Sequence, residues 1–436
     1  MTTNLSQQPL TTVGSESEVS SAAIRKAVLL CVSIFAVLAL PLIVSGYDHG
    51  RAWSDQAKYH LPAIVHFAHG GSLRDYPSAT TPGYHLLMAA VAIALPGNEI
   101  ALKLIGLLIS LVLIGVLAAF VARRVASPAM TLCLMLPMLV SLYFLPQGVW
   151  LVPDNLGWLT VFGVLLMAMR YQDRFGWYAG MAGLLLAAVM VRQSNAWLCA
   201  VALLSVLAAA PAGNVNRRLF YAAAMLAPAI LTLAGFVALW RALTPPSFVA
   251  QHQGINTAAL PFLLCVFGLY GLFYLPLIAP RVRRIWTQPY WQRRVLLGGA
   301  LGLLAAAVQP TDLNEAEGRV SGLWILARLG PDPLHHSILM TALSMLGGMS
   351  VAVWCALLPR RLAAGVLCTM LAYVLAQTTN HMVYERYFAE FVFILLLVMM
   401  AAIIGRDRER IQPWGFAAPL LLTAINAVIL VRALRS

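Results

Sequence analysis

Charge is what this chain has least of. Only 10% of its 436 residues are Asp, Glu, Lys or Arg, and just 16 are acidic, while 61% are hydrophobic. A soluble globule of this length has closer to half apolar residues, so a water-soluble domain is excluded. Cysteine is also scarce. Cys31, Cys133, Cys199, Cys265, Cys355 and Cys368 all lie inside apolar runs, with no metal-ligand spacing, and read as small packing residues. No Asp-x-Asp or His-x-x-x-His pattern occurs in the polar loops of the outer face, so no obligatory metal or other cofactor is expected. Few charges sit mid-span, and no clear internal repeat is visible. Secondary transporters usually carry both, which counts against transport.

Long apolar runs are what the chain has in abundance. Many approach the roughly 20 residues that cross a bilayer. The excess of 29 Lys+Arg over the acids gives a formal charge of +13. These positive residues fall in short clusters between apolar runs, so they follow the positive-inside rule and imply no nucleic-acid partner. Residues 1–22, rich in Ser, Thr and Gln, read as a disordered cytoplasmic tail. Residues 23–436 read as a single all-α, polytopic membrane domain. The first span falls near 27–46. Residues 47–99 form an external loop whose apolar stretch 84–96 is, at about 20 Å of helix, too short to cross and lies in the interface. Further spans fall near 100–121, 129–145, 155–169, 177–191, 195–210, 219–240, 259–279, 295–309, 336–357, 362–379, 387–405 and 413–431, about 13 in all. This path puts Arg123-Arg124 in the cytoplasm and gathers most carboxylates at the opposite face. Polar chemistry concentrated at one membrane face suggests an enzyme whose site opens outward.

Seven stretches line up on that face: Ser54-Asp55 to His60-Leu-Pro62, Thr80-Thr-Pro-Gly83, Val152-Pro-Asp154-Asn155, Arg192-Gln-Ser-Asn195, Gln251-His252-Gln253, Asp312 to Arg319, and Glu385-Arg386-Tyr387. In this order they resemble the membrane glycosyltransferases of the GT-C class. Within it, they look most like the eukaryotic alpha-1,2-glucosyltransferases that add the last glucose to the dolichol-linked oligosaccharide. Arg192-Gln-Ser-Asn195 is the most specific match. The family's Asp-Glu is Asp55-Gln56 here, and the gap to His60 is one residue longer.

The resemblance implies an inverting transfer of a hexose, glucose in the family, from a polyprenyl-phosphate donor to a hydroxyl of a glycan or glycolipid acceptor. The lack of long insertions and the high Ala, Leu and Arg content suggest a bacterial inner membrane, with the site on its periplasmic side. One carboxylate must take the acceptor proton. Asp55 is the candidate, and the resemblance puts the base there; Asp154 is the second. Both have a bland alternative as helix N-caps. The leaving phosphate needs donors at the membrane surface, and the Arg fork suits it. Arg192, with Gln193 and Asn195 beside it, and Arg386 are candidates. Arg192 has the alternative of a snorkelling side chain and Arg386 that of an ion pair with Glu385. His60, His252, Thr81 and Glu385 complete the substrate-binding set, with Trp53 as a sugar-stacking ring. The competing functions are a transporter or flippase of lipid-linked sugars, and a polytopic scaffold without catalysis.

Overall fold

The computed structural model describes residues 19–208, 215–249, 254–308, 322–380, 382–406 and 413–435, and among these the chain is helical throughout, with no strand. Each expected span corresponds to a helix. The principal ones are α1 (Ser21–Val44), α5 (Glu99–Val125), α6 (Pro128–Leu139), α8 (Asp154–Met169), α9 (Phe175–Val191), α10 (Trp197–Leu207), α11 (Val215–Trp240), α12 (Ala259–Tyr274), α14 (Pro289–Val308), α16 (Ile338–Leu357), α17 (Arg360–Thr378), α18 (Glu385–Arg406) and α19 (Ala417–Arg435). Between them lie the short helices α2 (Arg51–Asp55), α3 (Leu61–Ala68), α4 (Gly83–Ala94), α7 (Leu145–Val149), α13 (Ala279–Trp286) and α15 (Leu323–Arg328).

Local chemistry sets the helix limits. Ser20 accepts from the amide of Ala22 at the start of α1, and Asn98 from that of Ala101 at the start of α5. Glu99 in the first turn of α5 and Arg123 and Arg124 in its last complement the helix dipole. Ala126, left-handed at φ 59°, ends that helix, and Ser127 with Pro128 starts the next.

Eight helical stretches among the described residues are long and apolar enough to cross a bilayer. Exposed Val37, Leu108, Phe220, Leu231, Leu304, Leu375 and Val428 would be a liability in water and suit a lipid surround. The protein is therefore an integral, multi-pass membrane protein. α18 is its axis: 89% of its apolar window is buried, against 22% for α11 at the rim.

Helix ends sort into two ends of the bundle. At one end, Gln56 bonds Glu99 at the head of α5 (2.7 Å), and Trp150 donates to the Tyr47 carbonyl beyond α1 (3.2 Å). Asp154 at the head of α8 meets Arg192 at the tail of α9, Trp240 closing α11 donates to Leu73, and Asn256 ahead of α12 donates to Thr378 closing α17. The Leu323 amide donates to Glu385 at the head of α18. At the other end, Gly405 packs on Arg124, Trp177 donates to Met167, and Gly415 lies against Leu277.

α4 folds back rather than running between these ends. His85 in its first turn bonds His60, and Glu99 just beyond it bonds Gln56, so both flanks are tied to one five-residue segment.

Candidate functional site

The N-capping alternatives for the two carboxylates do not hold. Asp55 closes α2 rather than opening a helix, because the chain runs on helically from Arg51 to Ala68. Its carboxylate accepts from Arg386 (Nη1–Oδ2 2.5 Å). Asp154 opens α8 but makes no cap bond; it accepts instead from Arg192 (Nη2–Oδ1 2.7 Å) and is buried. Arg386 thus pairs across 331 residues with Asp55 and not with its neighbour Glu385. Arg192 is anchored rather than snorkelling.

The two pairs share one ring. The Arg192 and Arg386 guanidinium carbons lie 5.2 and 5.1 Å from the centre of Tyr387, and Arg386 also donates to the Tyr387 hydroxyl (3.2 Å). Each contact is a cation–π attraction worth about 0.5–2 kcal/mol. Glu390, about one turn further along α18, is fully buried and accepts from the Trp158 indole N–H.

Two cavities meet here. The smaller, about 370 Å³, is lined by Asp55, His60, Thr80, Arg192, Gln193, Ser194, Gln377, Asn380 and Tyr387 among others. The larger, about 820 Å³, is lined by Trp53, Gln147, Trp150, Asp154 and the last residues of α19, Ala433 and Leu434. Asp55, Tyr384 and Arg386 belong to the walls of both.

Gln56–His60 forms a π turn, closed by the Leu61 amide on the Gln56 carbonyl. Residues five apart on an α-helix point about 140° away from each other. The wider π turn, bonded i to i+5, brings them back into line. Asp55 and His60 therefore both reach the smaller cavity. Gln56 faces the other way, buried, accepting from the Leu151 amide (2.9 Å) and donating to Glu99.

The Arg-Gln-Ser-Asn motif is largely a clamp. Gln193 accepts from the Thr81 amide (3.1 Å) and donates to the Ala79 carbonyl (2.8 Å), fixing the 79–81 loop. Asn195 donates back to Ala188 (3.2 Å). Thr81 is fully buried with its hydroxyl on the Val189 carbonyl (2.6 Å), and Thr80 lines the cavity in its place. Glu385 is buried too, held by the Tyr270 hydroxyl (3.2 Å) and the Leu323 amide (2.5 Å), and lines neither cavity. Of the candidates from the sequence, then, Asp55, Asp154, Trp53, His60, Arg192, Gln193 and Arg386 border the two cavities, while Thr81, Asn195 and Glu385 brace them. His252 and the 312–319 stretch lie outside the described residues.

Sequence reasoning gave Tyr387 no role of its own within the Glu385-Arg386-Tyr387 stretch, and it missed Tyr384, Gln377 and Asn380. The last two belong to a polar run, Gln377-Thr-Thr-Asn380, that interrupts an apolar span and was a usable signal. It also missed His85, an imidazole inside an apolar stretch, which bonds His60 (Nε2 to Nδ1, 2.9 Å) and Tyr76 (Nδ1 to hydroxyl, 2.5 Å).

Burial, then the Arg192 and Arg386 charges, pull the His60 pKa down to about 3, so the ring is neutral at physiological pH. The site thus holds two cations, two carboxylates paired to them and a neutral imidazole. It can receive an anion, which would compete for the guanidinium forks and loosen the carboxylates. Among the described residues no three His, Cys, Asp or Glu side chains converge. No family model, curated protein or solved structure matches this chain.

Proposed function

We propose that the protein is an inverting membrane glycosyltransferase of GT-C-like architecture. It takes a hexose, glucose in the family it resembles, from a polyprenyl-phosphate donor. The observation that carries this reading is the Asp55–Arg386 pair standing in the common wall of two cavities. The smaller cavity, with Arg192 and Arg386, suits a sugar phosphate; the larger, with Trp53, suits a glycan or glycolipid hydroxyl.

In this reading the acceptor oxygen attacks the anomeric carbon from the side opposite the phosphate. The carbon–oxygen bond to phosphate breaks and the phosphate leaves with the electron pair, toward Arg192 and Arg386. Asp55 takes the acceptor proton. A phosphate entering between the two Arg forks competes for Arg386 and frees the Asp55 carboxylate for that proton. Asp154 holds Arg192 in place through an ion pair.

The proposed topology has 13 crossings: the eight long apolar helices, the four shorter α6, α8, α9 and α10, and α14, whose Arg293 and Arg294 lower its apolar character. The alternation of helix ends supports it, as does the pair of bonds that ties both flanks of α4 to one segment. Positive clusters at the end away from Asp55 support an external, periplasmic site on a bacterial inner membrane.

Transport of a lipid-linked sugar has one observation in its favour, the buried Glu390, whose Oε1 has no hydrogen-bond partner among the described residues. It lies only five residues from the head of α18, about 7.5 Å along the axis, which is near the site and far from mid-bilayer.

The test is transfer in proteoliposomes from a panel of polyprenyl-phosphate hexoses. Asp55→Asn keeps shape and loses proton affinity, and transfer is expected to fall by a factor on the order of 10² to 10⁴. Near wild-type activity in that variant would move the base to Asp154. Absence of transfer from every donor in the panel defeats the reading.

A further inference from the structure

Behind the smaller cavity stands a row of three buried polar side chains: Tyr76, His85 and His60. The elements that carry them bring them together for separate reasons. The π turn aims His60 at the cavity, α4 folds back to put His85 behind it, and the loop clamped by Gln193 sets Tyr76 behind that. The contacts run hydroxyl to Nδ1 at 2.5 Å, then Nε2 to Nδ1 at 2.9 Å. The remaining nitrogen, His60 Nε2, makes no hydrogen bond among the described residues, is not sealed, and belongs to a residue that lines the cavity.

Proton counting gives the row a direction. A phenol has one hydrogen to give. Its other acceptor is the Thr81 carbonyl, at a much longer 3.5 Å, while the Ser78 and Thr80 hydroxyls pair with each other at 3.4 Å. The hydrogen therefore goes to His85 Nδ1. A neutral imidazole that accepts at one nitrogen donates at the other. His85 then donates from Nε2 to His60 Nδ1, and His60 must carry its own hydrogen on Nε2.

We propose that Tyr76 and His85 are positioning residues that hold a hydrogen on His60 Nε2, and that His60 is an uncharged donor to a phosphate oxygen bound between it and the Arg192 and Arg386 guanidinium groups. The lipid tail of that phosphate rests on the reading above; the hydrogen placement and the anion site do not. Burial lowers the affinity of His60 for a second proton, and the two guanidinium groups lower it further. Donation thus persists through the neutral range without adding a third positive charge, and a like charge at that point would push against both Arg side chains.

The test uses the full chain in detergent with 15N-labelled histidine. Nitrogen shifts are expected to show His60 neutral, with its hydrogen on Nε2, from pH 5 to 8. Tyr76→Phe keeps the ring that packs on Phe67 (5.2 Å) but removes the hydrogen that sets the direction. In this variant the His85 and His60 hydrogens are expected to redistribute. Affinity for the probe anion is expected to fall by about tenfold, the worth of one hydrogen bond to a charged group. His60→Gln, which still offers an amide N–H, is expected to retain most of the affinity, and His60→Leu to lose it.

The probes are inorganic phosphate and a polyprenyl phosphate. Binding of both, or of either alone, supports the anion site and identifies the free or the lipid-borne form as its ligand; binding of neither overturns it. A hydrogen on Nδ1 of His60, an imidazolium at pH 7, or unchanged shifts in Tyr76→Phe overturns the row. None of these readouts needs sugar transfer, so loss of the glycosyltransferase reading and loss of this one are separable.

Discussion

Tyr387 holds two cations over one ring, and its partners explain why that is tolerable. Arg192 and Arg386 would repel, but each has a carboxylate at hydrogen-bond distance. Truncating Arg192 would leave the buried Asp154 carboxylate unpaired, at a cost of about 3–5 kcal/mol in folding alone. His60 adds a pH dependence whose sign is fixed. Its folded pKa is about 3, below the ordinary value near 6.5, with burial the chief cause. The unfolded chain therefore binds more protons between those values, and stability is expected to fall as pH drops through that window. Thermal unfolding in detergent at pH 7 and pH 4.5 measures it. His60→Gln is expected to reduce the difference between the two; an unchanged difference would assign it to other groups. None of these partnerships was readable from the sequence. Asp55 and Arg386 stood out singly as rare charges, but nothing local says that residues 331 apart will meet.

The helices themselves were legible because apolar length is a local property. The expected span at 129–145 is the instructive exception: α6 stops at Leu139, two residues after Pro137, and the chain turns before α7. Proline removes a backbone donor and crowds the turn before it. Packing between helices was not legible, and glycine governs it in one place. α12, α14 and α16 approach so closely that a Cβ on Gly268 would sit 2.8 Å from the Gly347 nitrogen, and one on Gly298 would sit 2.5 Å from the Gly348 carbonyl oxygen. Small residues let membrane helices make such close contacts. Gly268→Ala is expected to cost about 1–3 kcal/mol by forcing the pair apart. Gly235→Ala in α11, with nothing within 4 Å, is expected to be neutral or stabilising by up to about 1 kcal/mol through helix propensity. Midpoints of thermal unfolding compare the two, and equal shifts would show that the α12–α16 contact is loose.

At the scale of the molecule, the bundle has a polar end and a plain one. The polar end carries both cavities and the last residues of α19; Arg123 and Arg174 belong to the other. Single cysteines placed on a background lacking the native six give the expected pattern. Asp48→Cys should react with an impermeant thiol reagent from outside intact cells. Arg123→Cys and Arg174→Cys should react only after the membrane is opened. Labelling of position 123 from outside would reverse every crossing from α5 onward. The positive clusters are the sequence feature from which this orientation is expected. The partition of the polar end into two chambers was not legible in the sequence, since it depends on side chains from α2, α9 and α18 meeting at one point.

The π turn between α2 and α3 bears on the length of the chain there. A helix fastened on both sides cannot lengthen by one residue without either rotating everything downstream or swelling locally, and here it swells. On an ordinary helix, residues four apart share a face. At a separation of five, the swelling keeps Asp55 and His60 aimed at the same cavity. A one-residue deletion within 56–59 is therefore expected to leave Asp55 and His60 on one face of an ordinary helix.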